Sequence, residues 1–132
     1  MNYWAVGASF GSDNEVSKTY LKQGIWYDGY AENGDFKYKA QWERVAEGDV
    51  LVMKSNATKG KKHSTPFTRV KAIGKVKKKE KPHYFLVQWY NIQELPTDID
   101  GLWYPKTIEP LRDDALKTYV KKWEQSMKQD YI

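Results

Sequence analysis

The chain has 132 residues, no cysteine, a formal net charge of +5 and an aromatic content of 15%. That length suffices for one domain with a real core, and the lack of cysteine excludes disulfides and cysteine-based metal sites. The charge is unevenly spread. Lys54, Lys59, Lys61, Lys62, Arg69, Lys71, Lys75, Lys77, Lys78, Lys79 and Lys81 fall in one short stretch, accompanied by a single acid, Glu80. The rest of the chain is net acidic, so the positive balance comes wholly from this segment. Clustering of this kind is the footprint expected for a phosphate backbone, although a lysine-rich sheet edge also serves solubility. Met1–Trp4 has no basic lead, and the longest aliphatic run, Val50–Met53, is too short to span a bilayer. A soluble cytoplasmic protein with no membrane partner is the expectation.

In chain order, Tyr3–Ala8 reads as a buried strand ending in small residues. Ser12 or Asp13 suits the start of a short helix with Val16, Tyr20 and Leu21 inward, and Gly24 is its expected C′ residue. Ile25–Tyr27 is a short strand or extended turn, and Asp28–Lys39 a polar loop. Gln41–Ala46 forms a helical turn carrying Trp42 and Val45. Glu47-Gly48-Asp49 turns into a strand over Val50–Ser55, and Asn56–Pro66 is a basic loop.

Arg69–Lys77 alternates, with Val70, Ala72, Gly74 and Val76 on one face and Arg69, Lys71, Ile73, Lys75 and Lys77 on the other. Lys78–Pro82 is a charged turn. Tyr84–Ile92, rich in aromatic and β-branched residues, is a strong strand. Leu102–Leu111 holds a shorter one, interrupted by Pro105 and Pro110. Asp113 and Asp114 suit a helix start, and Leu111, Ala115, Leu116, Tyr119, Val120, Trp123 and Met127 form the helix's apolar stripe. Several strands with a helix near each end, and no run of βαβ units, predict a small curved or closed α+β barrel in a single domain, 1–132, with a C-terminal helix over 112–129 packed on it.

Three segments carry a resemblance. Tyr3-Trp4-Ala5-Val6-Gly7-Ala8-Ser9-Phe10 with Gly24-Ile25-Trp26 comes first. Glu47-Gly48-Asp49-Val50-Leu51-Val52-Met53-Lys54-Ser55 with Ala72-Ile73-Gly74-Lys75-Val76 follows. Val87-Gln88-Trp89 with Leu95-Pro96 is third. In this order the chain resembles the EVE and YTH branches of the PUA-like superfamily, and its opening is most like EVE-type domains of modification-dependent restriction ATPases and GTPases. The resemblance implies a β pseudo-barrel of about five to six strands with flanking helices, and a pocket for one extruded, often methylated base.

In that pocket the resemblance places Trp26 as an aromatic wall, Ser9 at the end of the first strand, Asp13 near the base edge, the Tyr27 amide on a ring nitrogen, and Lys54, Ser55 and Asn56 beside it. The loop Lys77–His83 has no tryptophan, unlike YTH readers, so Phe10, Tyr84, His83 or Trp103 is left to supply a second wall. Lys54, Lys59, Lys61, Lys62, Lys75, Lys77, Lys78, Lys79 and Lys81 are the candidate phosphate contacts. Trp4, Trp42, Trp89 and Trp123 are expected in the core.

Gly7-Ala8-Ser9-Phe10-Gly11 fits the nucleophile-elbow pattern G-x-S-x-G, with His63 and His83 as conceivable bases. A hydrolase of that kind needs a parallel sheet and a much longer chain, and small residues here fit close approach of backbone to a ligand. Two isolated histidines make no metal site, and Asp98, Asp100, Asp113 and Asp114 look like turn and helix-start residues. The expectation is therefore a non-enzymatic, cofactor-free reader of a modified base. DNA is favoured, with a separate or fused motor or nuclease subunit as partner. The alternatives are a YTH-type RNA-binding module and a protein-interaction domain with a basic face.

Overall fold

The computed structural model describes residues 2–7, 9–10, 14–15, 17–27, 38–80 and 83–126. Strand β1 (Tyr3–Gly7) is followed by a small ladder of β2 (Ser9–Phe10) with β3 (Asn14–Glu15), helix α1 (Ser17–Gln23) and β4 (Ile25–Tyr27). Helix α2 (Lys39–Arg44) leads into β5 (Val50–Lys59) and the long β6 (Thr65–Glu80), which form a hairpin across a 3₁₀ turn at Lys61–His63. Then come β7 (Tyr84–Trp89), β8 (Thr97–Asp100), β9 (Ile108–Pro110) and helix α3 (Asp114–Ser126). The main sheet runs β4-β7-β6-β5-β1-β9, with β8 added to the far half of β6. Among the described residues it is a mostly antiparallel, curled half-barrel with three helices, in which only β1 and β5 pair in parallel.

Both faces of the sheet centre are buried, which explains the unbroken run Val50–Met53. Leu51 and Met53 point into the concave core with Trp4, Val6, Trp26, Trp42, Phe85, Val87 and Trp89. Val50 and Val52 point to the convex face, where Ala5, Ile73, Tyr90 and Tyr104 meet Leu116, Val120 and Trp123 of α3. The four tryptophans expected in the core are all buried. Ile73, expected on the polar face of its strand, is fully enclosed because α3 and its flanking loops cover that face.

Asp49 closes one end of the sheet. Its buried carboxylate accepts hydrogen bonds from the Trp4 indole N–H at 3.0 Å, the Asn2 amide at 3.0 Å and the Ala46 amide at 2.9 Å. The opposite side is clasped by the segment 102–113. Asn56 donates to the Tyr104 carbonyl and accepts from the Tyr104 amide, while the Thr68 hydroxyl lies 2.8 Å from Asn56 Oδ1 and 2.9 Å from the Leu102 carbonyl. The Tyr104 hydroxyl donates to Asp113 and accepts from the Arg112 and Asp113 amides, so one buried phenol organises the entry to α3.

Several boundaries differ from expectation. The basic "loop" Asn56–Pro66 is mostly two hairpin arms, because Ala57, Thr58 and Lys59 pair with Phe67, Pro66 and Thr65. Lys78–Glu80 extends β6 against β7 instead of turning. Asn14–Glu15 pairs with β2, so α1 starts later, at Ser17. Thr97–Asp100, expected only as a turn region, is a strand. Asp13, Ser12, Val16, Lys81, Met127 and residues 28–37 of the expected polar loop lie outside the described residues. Gly24 does terminate α1, at φ 66°.

Gly74 is required for a different reason. A Cβ built there would lie 2.7 Å from Trp89 Cε3 and 2.7 Å from Val87 Cγ1. The Gly74→Ala variant is expected to lose about 1–3 kcal/mol of stability through overpacking. Urea denaturation followed by tryptophan fluorescence checks this, and an unchanged midpoint would refute the close packing.

Candidate nucleic-acid interface

The lysine-rich segment does not form one uniform basic surface. Two one-residue register shifts in β6 divide it. Met53 pairs with Ala72 but Lys54 with Val70, so Lys71 is extra. Val76 pairs with Val87 but Lys78 with Leu86, so Lys77 is extra. Each bulge exchanges the faces of the residues that follow.

Lys54 reaches the convex face by the ordinary alternation of β5, and the first bulge sets Val70 opposite it, beneath the 102–113 clasp. Its ammonium donates to the Tyr104 carbonyl and, at 2.8 Å, to the Lys106 carbonyl. Lys54 is only 4% exposed, so the expectation of a phosphate contact there is corrected. Burial lowers its pKa from 10.5 to about 8, with the Glu109 carboxylate acting in the opposite direction. Glu109 is itself buried, accepting from the Lys106 amide at 2.7 Å and pairing with Arg112.

The second bulge turns Lys79 back toward the concave side. Its ammonium sits 4.4 Å from the centre of the Trp42 ring and donates to the Glu43 carbonyl at 2.9 Å. Other bases carry acidic partners: Lys59 pairs with Asp100 at 2.7 Å, Arg69 with Asp98 at 2.7 Å and Lys78 with Glu80 at 3.0 Å. Among the candidate phosphate contacts that are described, Lys61, Lys62, Lys75 and Lys77 are exposed without an ion pair to a described residue. The first two ride on the hairpin tip. The other two lie about ten residues along β6, roughly 30 Å away at strand rise.

Trp26 is fully enclosed. Its indole N–H donates to the Gly7 carbonyl at 2.6 Å, its ring stacks on Phe85 at 5.6 Å, and Phe85 in turn stacks on Trp42. The half-exposed ring expected at this position is therefore a core ring. Its neighbour Tyr27 is different. It lies directly opposite Tyr84 in the β4–β7 ladder, with ring centres 4.9 Å apart, and both residues are partly exposed. His83 stacks beside Tyr84 at 5.0 Å, and Tyr20 packs edge-on against Tyr27 at 5.1 Å.

The ladder registers define an open convex face next to this pair. Lys75 opposes Gln88, Lys78 opposes Leu86, and Glu80 opposes Tyr84, which opposes Tyr27. Lys75, Lys78 and Leu86 are exposed, and Gln88 and Tyr84 partly so. This half of the face is not covered by the α3 packing that buries Val50, Val52 and Ile73.

The other expected pocket residues are dispersed. Ser9 and Phe10 lie in the β2–β3 ladder, not at a strand-to-helix turn as a nucleophile elbow requires. Ser55 opposes Arg69, Asn56 is committed to Tyr104, and the 43% exposed Trp103 belongs to the clasp, its carbonyl held by Arg112. Leu86 and Gln88 were missed by sequence reasoning. Their signal was the alternation of Tyr84, Leu86 and Gln88 with the buried Phe85, Val87 and Trp89. No protein-family model matches the chain, and no curated protein matches it.

Two predictions follow from these burials. Trp26→Ala is expected to cost about 3–5 kcal/mol, as for other large core truncations; calorimetry or chemical denaturation measures it, and a near-parental stability would return Trp26 to the surface. For Lys54, the folded state binds its proton less tightly than the unfolded chain. The unfolded state thus holds more protons between about pH 8 and 10.5, so this group's contribution to stability rises with pH across that window. A fall from 10.5 to about 8 corresponds to roughly 3 kcal/mol. The stability difference between parent and Lys54→Met should grow in the parent's favour from pH 8 to 10.5. A flat difference would refute it.

Proposed function

We propose that the chain is a non-enzymatic nucleic-acid-binding module that uses the open face of β6, β7 and β4. The observation that carries the reading is the placement of Lys75, the Lys78–Glu80 pair, Leu86, Gln88 and the Tyr27–Tyr84 pair on one partly exposed sheet surface. Aromatic rings interleaved with lysines suit a strand whose bases stack while its phosphates meet ammonium groups. A merely solvated sheet face has no need of paired tyrosines or an exposed leucine.

The finer reading is a PUA-like, EVE/YTH-type domain holding one extruded, modified base, with DNA favoured and a restriction motor or nuclease as its working partner. The sequence resemblance supports this, and the curled half-barrel is compatible with it. In this reading the Tyr27–Tyr84 pair takes the stacking role first assigned to Trp26, with Trp26 and Phe85 as the rigid layer behind it. Extruding a base from a duplex costs a few kcal/mol, which phosphate contacts offset.

Binding to duplexes and single strands, each carrying one modified base, tests the reading at several salt concentrations. About four phosphate contacts predict a slope of log K against log salt of roughly −3 to −4 on duplex DNA. Tyr84→Ala should weaken preferred substrates by the roughly 1–3 kcal/mol of a lost stacking contact and leave the slope intact. A parental slope near zero, or a Tyr84→Ala variant with parental affinity for every substrate, would sink the proposal.

A further inference from the structure

A second concentration of positive charge lies outside the lysine-rich segment, at the other side of the sheet. A cleft of about 330 Å³ opens between the start of β1, the end of β9, the end of α2 and one face of α3. Asn2, Tyr3, Trp4, Pro110 and Leu111 line it together with the three cations Arg44, Lys117 and Lys121. The three cations come from two helices that are far apart in sequence. Arg44 lies over the Trp4 ring at 5.4 Å, and Lys121 is 6.0 Å from the centre of the Tyr3 ring.

None of the three makes an ion pair with a described residue. The neighbouring acids are hydrogen-bonded to other groups, two of them to the cleft residues Tyr3 and Trp4. Glu124 accepts from the Tyr3 hydroxyl at 3.1 Å, Glu109 holds Arg112 and the Lys106 amide, Asp113 takes the Tyr104 hydroxyl, and Asp49 takes Trp4. Lys117 and Lys121 are four residues apart on one helix, a like-charge spacing that is mildly unfavourable unless something neutralises it. A guanidinium and two ammonium groups converging on a partly enclosed, aromatic-lined cleft suit a compact dianion better than a single carboxylate.

We infer that this cleft is an anion site for a phosphate group, separate from the open sheet face. Arg44 supplies the forked contact and Lys117 and Lys121 the point charges. The group has two possible sources with the same chemistry: a free phosphate compound, or a phosphate of a bound nucleic-acid strand. The second is geometrically accessible. Tyr3, Val50 and Lys75 form one row across the sheet, so the cleft lies two strands, roughly 10 Å, from the Lys75 end of the open face.

Titration of the full chain with pyrophosphate, followed by amide NMR, separates these cases, alongside binding of a DNA oligonucleotide. The test variant is Arg44→Gln/Lys117→Gln/Lys121→Gln, and the control is Lys61→Gln/Lys62→Gln on the hairpin tip. With a free-phosphate site, pyrophosphate saturates the parent and the control, shifts the Asn2 and Leu111 amides, and binds the cleft variant at least tenfold more weakly. With a strand site, pyrophosphate is weak, but the cleft variant loses at least tenfold in oligonucleotide affinity and its salt slope flattens. The inference is overturned if pyrophosphate fails to saturate and the cleft variant binds oligonucleotide as the parent does. It is also overturned if both variants lose affinity equally. The pyrophosphate arm makes no use of the sheet face, so its result is independent of whether that face reads a base.

Discussion

The two bulges in β6 decide what this sheet displays. A regular strand from Thr65 to Glu80 would place side chains on alternate faces without exception. The extra residues Lys71 and Lys77 reset that alternation twice. Val70 thereby joins Ile73 on the convex side, although the two are an odd number of residues apart. Val70 thus comes to lie opposite Lys54, and Lys79, opposite Phe85, is carried onto Trp42. Between the bulges Lys75 stays on the convex face, and beyond the second one Lys78 and Glu80 rejoin it beside Leu86 and Tyr84. The open face exists in its observed form because of these shifts.

Burying charged groups at the sheet ends is costly unless each is fully bonded. The chain meets that demand in two ways. Asp49 is satisfied by three N–H donors, among them the indole of Trp4, and so joins the first strand, the turn after α2 and the start of β5. Lys54 is satisfied by carbonyls of a segment without regular structure, which Asn56 and Thr68 also hold. The lowered pKa of Lys54 shows that burial outweighs the attraction of Glu109. One end of the sheet is thus fixed by an acid and the other by a base, which leaves the middle free to be apolar on both faces.

Much of the fold was legible because its signals are local. The run Val50–Met53, the aromatic and β-branched run Tyr84–Trp89, the Leu116, Val120 and Trp123 part of the stripe on α3 and the glycine after α1 each report their own surroundings. The bulges were not legible, since a bulged lysine in a lysine-rich strand looks like any other lysine. The burial of Lys54 was hidden as well: it depends on carbonyls some fifty residues away. Strand β8 left a weak period-two trace in Thr97-Asp98-Ile99-Asp100, masked by its acids. Those acids are there because they face Arg69 and Lys59. Trp26 was misplaced because the family resemblance assigned its ring to a pocket wall. Its ring in fact closes the concave core, and its strand neighbours Ile25 and Tyr27 are the partly exposed ones.

Charge counted along a chain is a poor measure of charge presented to a partner. In this segment one lysine is buried, one is laid on an indole, and three bases are matched by carboxylates. Exposed pairs of this kind are screened and contribute little to stability, but they do reduce the field a polyanion meets. Lys61, Lys62, Lys75 and Lys77, exposed without an ion pair to a described residue, do not form a continuous stripe. They sit in two groups separated by most of the length of β6. A small anion meets at most one group, whereas an extended polyanion spans both. In the reading proposed above, the tyrosine pair beside the second group supplies stacking for planar bases, and the spacing of the two groups suits an extended strand.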